Sequence, residues 1–287
     1  MHASNRPGIE ARALLVHSRP RFWLYLAGPV AVGVAYGAPG PSAVLSVPAL
    51  VLLGYFLIPG NLFLYGINDV FDAELDRANP KKDGRERRWT GDRTLVGVVL
   101  VAVGLGLLTF VVTPPIAWPY LAGFFVVGAA YSAPPRLKTI PGLDSAANGL
   151  YVLPGAAAYA ALAGGHPPVA ALVGGWLWTM AMHAFSAIPD VAPDRAAGVA
   201  TIATALGPVG TLGYCLGCWT LAAAAFGVLD PRLGGLLAVY PIVAATIAIR
   251  GVAVRKAYWW FPVLNGGIGM LLTVGGLWRL AGGGLPG

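Results

Sequence analysis

Apolar runs long enough to cross a bilayer recur along this chain from Phe22 to Leu280, separated only by short polar connections. A helix needs about 20 residues to cross roughly 30 Å of hydrocarbon. Runs of that order lie near residues 22–37, 43–67, 94–113, 116–132, 145–163, 168–188, 206–228, 233–250 and 259–281. They predict an all-α, polytopic membrane protein with nine transmembrane helices, of which the first, fourth and eighth are short. Composition agrees: 57% of the 287 residues are hydrophobic and 11% charged, where a soluble domain carries about 25% charged residues. The 40 Gly and 24 Pro fit kinked, closely packed helices, which a membrane tolerates when neighbours satisfy the freed backbone groups. A single transmembrane domain over residues 22–287 is expected, after an N-terminal segment of residues 1–21.

The N-terminal segment carries Arg6, Arg12, Arg19 and Arg21 before an apolar stretch, as a signal peptide would. No small-residue cleavage pattern ends that stretch and more spans follow, so a retained first helix is predicted. The pair Cys215-x-x-Cys218 lies inside the apolar run Thr211–Val228, without a second pair or a nearby His or acidic residue. It reads as two small packing residues and not as a redox or zinc site.

Charge placement tests the span count. With nine spans, one side holds the N-terminus and the connections 2–3, 4–5, 6–7 and 8–9. All of the 19 Lys and Arg except Arg232 and Arg279 fall there. The positive-inside rule makes that side cytoplasmic, giving a multi-pass protein of the cell membrane in contact with membrane lipids. A basic juxtamembrane face accounts for the net charge of +7 without a nucleic-acid partner. Every acidic residue except Asp230 shares that side. Orientation does not require this, because Asp and Glu contribute little to it. Concentrated carboxylates need a chemical reason.

The second run ends in Asn61-Leu-Phe-Leu-Tyr65-Gly-Ile-Asn68-Asp69-Val-Phe-Asp72-Ala-Glu-Leu-Asp76. On a helix Asn61, Tyr65, Asn68, Asp72 and Asp76 form one stripe, and Asp69 lies three residues before Asp72. Asn79-Pro80 then ends the helix. Three carboxylates converging on one face repel each other unless a cation neutralises them. Mg²⁺ suits them, since it takes oxygen ligands, typically one or two carboxylates with waters and substrate phosphates. An acidic helix end solvated among headgroups is the plain alternative. Against it, Asn61 and Tyr65 continue the stripe to a depth where polar residues face a cavity or the bundle interior.

The sixth run ends in His183-Ala-Phe185-Ser186-Ala-Ile-Pro189-Asp190-Val-Ala-Pro193-Asp194-Arg195. Asp190 and Asp194 are one turn apart, and His183 and Ser186 extend their stripe inward. Between the motifs, Tyr131-Ser-Ala-Pro134-Pro135-Arg136-Leu-Lys138 closes the fourth run. Arg136 and Lys138 can clamp a diphosphate or serve as ordinary flanking charge. Asp144 and Asn148 open the fifth run beside them.

In order and spacing, Asn68-Asp69-x-x-Asp72-x-x-x-Asp76, the segment Tyr131 to Lys138, and Asp190-x-x-x-Asp194 resemble the UbiA-type intramembrane prenyltransferases. The resemblance covers essentially the whole chain. It implies helices around a central cavity under a cytoplasmic cap, with two Mg²⁺ ions joining a prenyl diphosphate to the Asp motifs. It makes Asn68, Asp69, Asp72, Asp76, Asp190 and Asp194 the catalytic set, the five Asp being the metal ligands. Tyr131, Arg136, Lys138, Arg195, Arg77 and Lys82 would bind the diphosphate, and Asn61, Tyr65, His183, Phe185 and Ser186 would face the acceptor or cavity. Within the family, Leu64-to-Asp72, Asn79-Pro-Lys-Lys-Asp83 and His183-to-Asp190 look most like the lycopene elongases. Those enzymes add C5 units to lycopene to begin C50 carotenoids such as bacterioruberin. Many relatives carry a basic residue where this chain has Ala73, and an acidic one where it has Val191-Ala192-Pro193. Arg77, Lys81, Lys82 or Arg195 can compensate.

The resemblance implies transfer from an allylic diphosphate, dimethylallyl diphosphate in the carotenoid branch, to a lipophilic acceptor such as lycopene. Metal and basic side-chain charge favours heterolysis to an allylic cation with release of diphosphate. A dry, aromatic-lined cavity preserves that cation. A quinone precursor or a chlorophyll-type ring is the alternative acceptor within the family. Outside it, an ion-coupled transporter would place its carboxylates at the bilayer midplane, whereas these cluster near one surface beside phosphate-matching cations.

Overall fold

The computed structural model describes residues 15, 17–72 and 93–282. Among them every regular element is helical. The principal helices are α1 (Trp23–Gly37), α2 (Val47–Leu57), α3 (Pro59–Phe71), α4 (Arg93–Val112), α5 (Trp118–Ser132) and α6 (Leu153–Ala163). They continue with α7 (Val169–Ala187), α8 (Ile202–Leu229), α9 (Pro231–Leu237), α10 (Val239–Arg250) and α11 (Val254–Leu280).

Six helical segments are long and apolar enough to cross a membrane: Val47–Phe71, Thr94–Val112, Val169–Ala196, Ile202–Leu229, Pro231–Arg250 and Val254–Leu280. The chain is a multi-pass membrane protein. Three of the nine expected spans are shorter: α1 and α5 have 15 residues each and α6 has 11. At 1.5 Å per residue, fifteen residues reach roughly 22 Å, short of about 30 Å of hydrocarbon. Proline sets several of these limits. Pro41 opens the turn beyond α1, Pro114 and Pro134 flank α5, and α6 starts at Leu153-Pro154 after a 3₁₀ turn over Ala147–Tyr151. The eighth run gains length because α9 and α10 follow one another from Pro231 to Arg250.

Two of the long segments are bent for identifiable reasons. Pro59 has no N–H to donate, and the chain breaks at Ile58 (φ −125°, ψ −61°) between α2 and α3. Asn61 Nδ2 fills this break by donating to the carbonyls of Phe56 (3.1 Å) and Leu57 (3.0 Å). In α8, Gly207 takes φ 70°, ψ 173° ahead of Pro208, a conformation open to glycine without steric cost. Pro208 cannot donate to the Thr204 carbonyl four residues back.

Two apolar cores hold the bundle. One joins α1 to α6 around Leu52, Phe56, Phe63 and Phe124, and the other joins α7 to α11 around Phe185, Trp219, Tyr240 and Phe261. The backbones of Gly33 in α1 and Gly155 in α6 approach so closely that no side-chain carbon fits between them, a contact typical of membrane helices packed through small residues. Cys215 and Cys218 are buried free thiols in the second core, and Cys215 Sγ donates to the Ala181 carbonyl (3.3 Å). They pack as expected. Val111, Val209, Val228 and Ile249 stand exposed on the exterior, which suits a surface bathed in lipid.

Candidate active site

The first acidic motif sits where α3 ends. Asn68 and Asp69 lie in its last turn and Asp72 follows it directly. The buried Asp69 carboxylate meets two basic side chains: Arg19 Nη2 donates to Oδ1 (3.0 Å), and His17 Nδ1 lies 3.1 Å from Oδ2. Asp72 has a different pair, with Arg136 Nη2 donating to Oδ1 (3.0 Å) and Lys138 Nζ donating to Oδ2. Lys138 Nζ also donates to Asn68 Oδ1 (3.0 Å) and to Ser132 Oγ (3.2 Å), while Ser132 Oγ donates to Asn68 Oδ1 (3.0 Å). The Arg19 guanidinium lies 4.6 Å over the Tyr65 ring, and the Tyr65 hydroxyl is 3.4 Å from that of Tyr151. Side-chain exposure of Asp69, Asp72 and Lys138 is 7%, 15% and 14%. At such burial, removing one charged partner leaves the other uncompensated, at a cost of about 3–5 kcal/mol.

Backbone strain marks the same place. Arg19 (φ 49°) and Arg136 (φ 60°) are the only non-glycine residues with positive φ among those described. Such conformations cost about 1–3 kcal/mol each and persist where the surroundings enforce them. Both guanidinium groups land on first-motif carboxylates.

The sequence reading expects three carboxylates converging on one ion. In the structure Asp69 and Asp72 are each neutralised by separate basic side chains, and Asp76, Arg77 and Lys82 lie outside the described residues. Among the described residues, no group of three His, Cys, Asp or Glu converges to hold a metal. The oxygen donors Asn68, Asp69 and Asp72 still suit Mg²⁺, which needs only one or two protein carboxylates and completes its shell from waters and phosphate.

The second motif is built differently. Asp190 ends a 3₁₀ turn over Ile188–Asp190, and Asp194 lies in the short helix Val191–Ala196. The exposed Arg195 donates from Nε (2.9 Å) and Nη2 (2.6 Å) to the Thr204 carbonyl. This is the carbonyl that Pro208 leaves without an intrahelical partner. Arg195 therefore braces the kink in α8, a use that its expected role on diphosphate does not include. Phe185 is likewise committed to packing: it is fully buried, with ring centroids 4.6 Å from Phe261 and 5.5 Å from Trp219. Asn61 plugs the α2–α3 break and is fully buried. Both side chains are thus engaged in packing or bonding within the protein. Ser186 Oγ donates to the His183 carbonyl (2.7 Å).

The connection from Ala133 to Asn148 ties the two motifs together. Its Arg136 and Lys138 reach Asp72. Its Asp144, fully buried, accepts from the backbone N–H groups of Gly142 (2.8 Å) and Ile202 (3.0 Å) and lies 3.3 Å from His183 Nε2. Ile202 opens α8 just past the second motif, so Asp144 satisfies an otherwise orphaned helix N-terminal donor. Tyr131, at the end of α5, meets His183 edge-on with ring centroids 6.3 Å apart.

Sequence patterning gave His17 no role and treated Arg19 as flanking charge. Their contacts with Asp69 span 52 and 50 residues, which helical periodicity cannot reveal. The pairing of Asp144 with His183 was hidden for the same reason.

The helices are long and apolar enough to cross a membrane, and the carboxylates at the end of α3 are matched to arginine and lysine. The family model described as the UbiA prenyltransferase family matches residues 26–265, and the chain belongs to that family and is a prenyltransferase. It is 58% identical over 271 residues to the lycopene elongase/hydratase of Haloferax volcanii, covering 94% of this chain and 90% of that protein. It is also 58% identical over 270 residues to the lycopene elongase/hydratase of Halobacterium salinarum, covering 93% and 98%. The fold is similar to that of a UbiA homologue from Archaeoglobus fulgidus solved with DMAPP and Mg²⁺. The TM-score is 0.75 at 22% identity, over 94% of this chain and 99% of that one. Both the family and the likeness to lycopene elongases agree with the sequence reading.

Proposed function

We propose that the chain transfers a dimethylallyl group from dimethylallyl diphosphate to lycopene or a related carotenoid and releases diphosphate. The observation that carries this reading is the Asp72 cluster, in which one carboxylate is held by Arg136 and Lys138. Such a cluster can exchange its carboxylate–cation pairing for contacts with an incoming diphosphate. Arg offers a planar fork for phosphate oxygens and Lys a point charge. The identity to the two lycopene elongase/hydratases supports the carotenoid acceptor, and the DMAPP and Mg²⁺ bound to the A. fulgidus homologue support the donor and the ion.

Two Mg²⁺ ions are proposed, one held by Asp69, Asp72 and Asp76 and the other by Asp190 and Asp194. When bound, Mg²⁺ supplies positive charge that offsets the leaving diphosphate. The protein's own part is positioning and charge. Arg136 and Lys138, with Arg77 and Lys82, bind the diphosphate; Asn68 and Ser132 hold Lys138 in place; Tyr65 and Tyr131 present aromatic faces that stabilise an allylic cation. The acceptor alkene captures that cation, and the names of the relatives favour water as the group that ends the reaction.

The motif-bearing end is assigned to the cytoplasm, in a plasma-membrane protein of nine spans with residues 1–21 preceding the domain 22–287. The skewed placement of Lys and Arg supports this. Expression in lycopene-accumulating cells tests the function: carotenoids heavier by one or two C5 units are expected by mass spectrometry. Unchanged carotenoids, with prenylation of an aromatic acid or a chlorophyllide instead, would move the chain to another branch.

A further inference from the structure

Resting on that reaction, one polar pair has no part in binding diphosphate. Asp144 is fully buried and pairs with the partly buried His183. Its two oxygens accept from Gly142 N–H and Ile202 N–H, which fixes the carboxylate in place. His183 Nε2 is 3.3 Å from Oδ2. A carboxylate that already accepts backbone N–H groups makes Nε2 the protonated nitrogen, because a neutral imidazole donates from one nitrogen and accepts at the other. His183 Nδ1 is then an acceptor, and no protein partner meets it among the described residues. The side chain is 19% exposed, so the ring is not sealed in the core.

Its position is informative. His183 lies seven residues before Asp190 on the same helical run, roughly 10 Å from it along the axis at 1.5 Å per residue. Tyr131 links it to the first motif: its ring meets His183 edge-on, and the next residue, Ser132, bonds Asn68. A donor held by its diphosphate at the motifs extends its hydrocarbon inward toward this level.

We infer that His183 is the base that takes the proton from the water ending the reaction, with Asp144 as its positioning residue. The donor C–O bond breaks and its electron pair leaves with diphosphate. The π pair of the acceptor's terminal alkene forms the new C–C bond, leaving a cation on the more substituted acceptor carbon. A water oxygen lone pair forms the C–O bond to that carbon, and the water proton passes to His183 Nδ1. The resulting imidazolium is stabilised by the Asp144 carboxylate, and the proton then leaves to bulk water.

The test is the ratio of hydroxylated to unhydroxylated C5-elongated carotenoid, in lycopene-containing membranes supplied with dimethylallyl diphosphate and Mg²⁺. His183→Ala and His183→Gln should each lower that ratio about 10²-fold, within the range a positioned base contributes. Added imidazole should partly restore it in His183→Ala, a rescue that lost packing alone would not give. An unchanged ratio in both variants overturns the proposal. So does loss of all elongation in both while the protein still inserts, since His183 would then act before the cation's capture. Absence of any C5-elongated product from the unaltered chain instead refutes the underlying reaction, and so is distinguishable.

Discussion

The two acidic motifs occupy comparable places, each after a long apolar helix, yet they are held in opposite ways. Asp69 and Asp72 are largely buried, and four basic side chains from distant segments converge on them. Two of those residues adopt strained backbone conformations. Asp194 is half-buried on a six-residue helix, and its neighbour Arg195 is exposed and braces the α8 kink. The first motif is thus preorganised by charge brought from distant segments, and the second is carried on a 3₁₀ turn and a short helix. Preorganised charge is the larger contributor to catalysis of this type, so substitutions around the first motif should dominate.

That contrast can be broken in graded steps. Asp72→Asn should lower turnover about 10³-fold, as loss of a central electrostatic group does, measured as diphosphate release at equal amounts of inserted protein. A fall below tenfold would remove the first motif from its leading place. Lys138→Met comes next, with kcat/KM expected to drop about 10²-fold because Asn68, Ser132 and the largely buried Asp72 carboxylate lose their cation. Arg136→Lys keeps the charge but not the planar fork, and should raise the donor KM about tenfold. Arg195→Ala should be mildest in activity, changing the donor KM less than about threefold, while the loss of its bonds to Thr204 lowers stability by about 1–3 kcal/mol. A donor KM that rises as far as in Arg136→Lys would place Arg195 with the diphosphate-binding cations.

Much of this was legible in the sequence, because apolar length and acidic spacing are local signals. The all-helical membrane class, both Asp motifs and the Arg136–Lys138 segment follow from them. The short α1 and α5 were legible as short apolar runs, whereas the length of α6 was not, since the 3₁₀ turn over Ala147–Tyr151 shortens its run without making it polar. For Asn61 and Phe185, stripe position says which face a residue occupies, and the contacts on that face come only from the fold. Asn61 answers the broken backbone at Pro59, and Phe185 is covered by rings from α8 and α11. The approach of Arg19 and His17 to Asp69, and of Asp144 to His183, depends on tertiary contacts that no period encodes.

The most direct measurement supplies the purified chain with lycopene, dimethylallyl diphosphate and Mg²⁺, then follows carotenoid mass and released diphosphate together. Stoichiometric diphosphate and a C5-elongated carotenoid are predicted, both lost in EDTA, restored by excess Mg²⁺, and lost in Asp72→Asn. Elongation that persists in EDTA or in Asp72→Asn would contradict activation of the diphosphate at the acidic motifs.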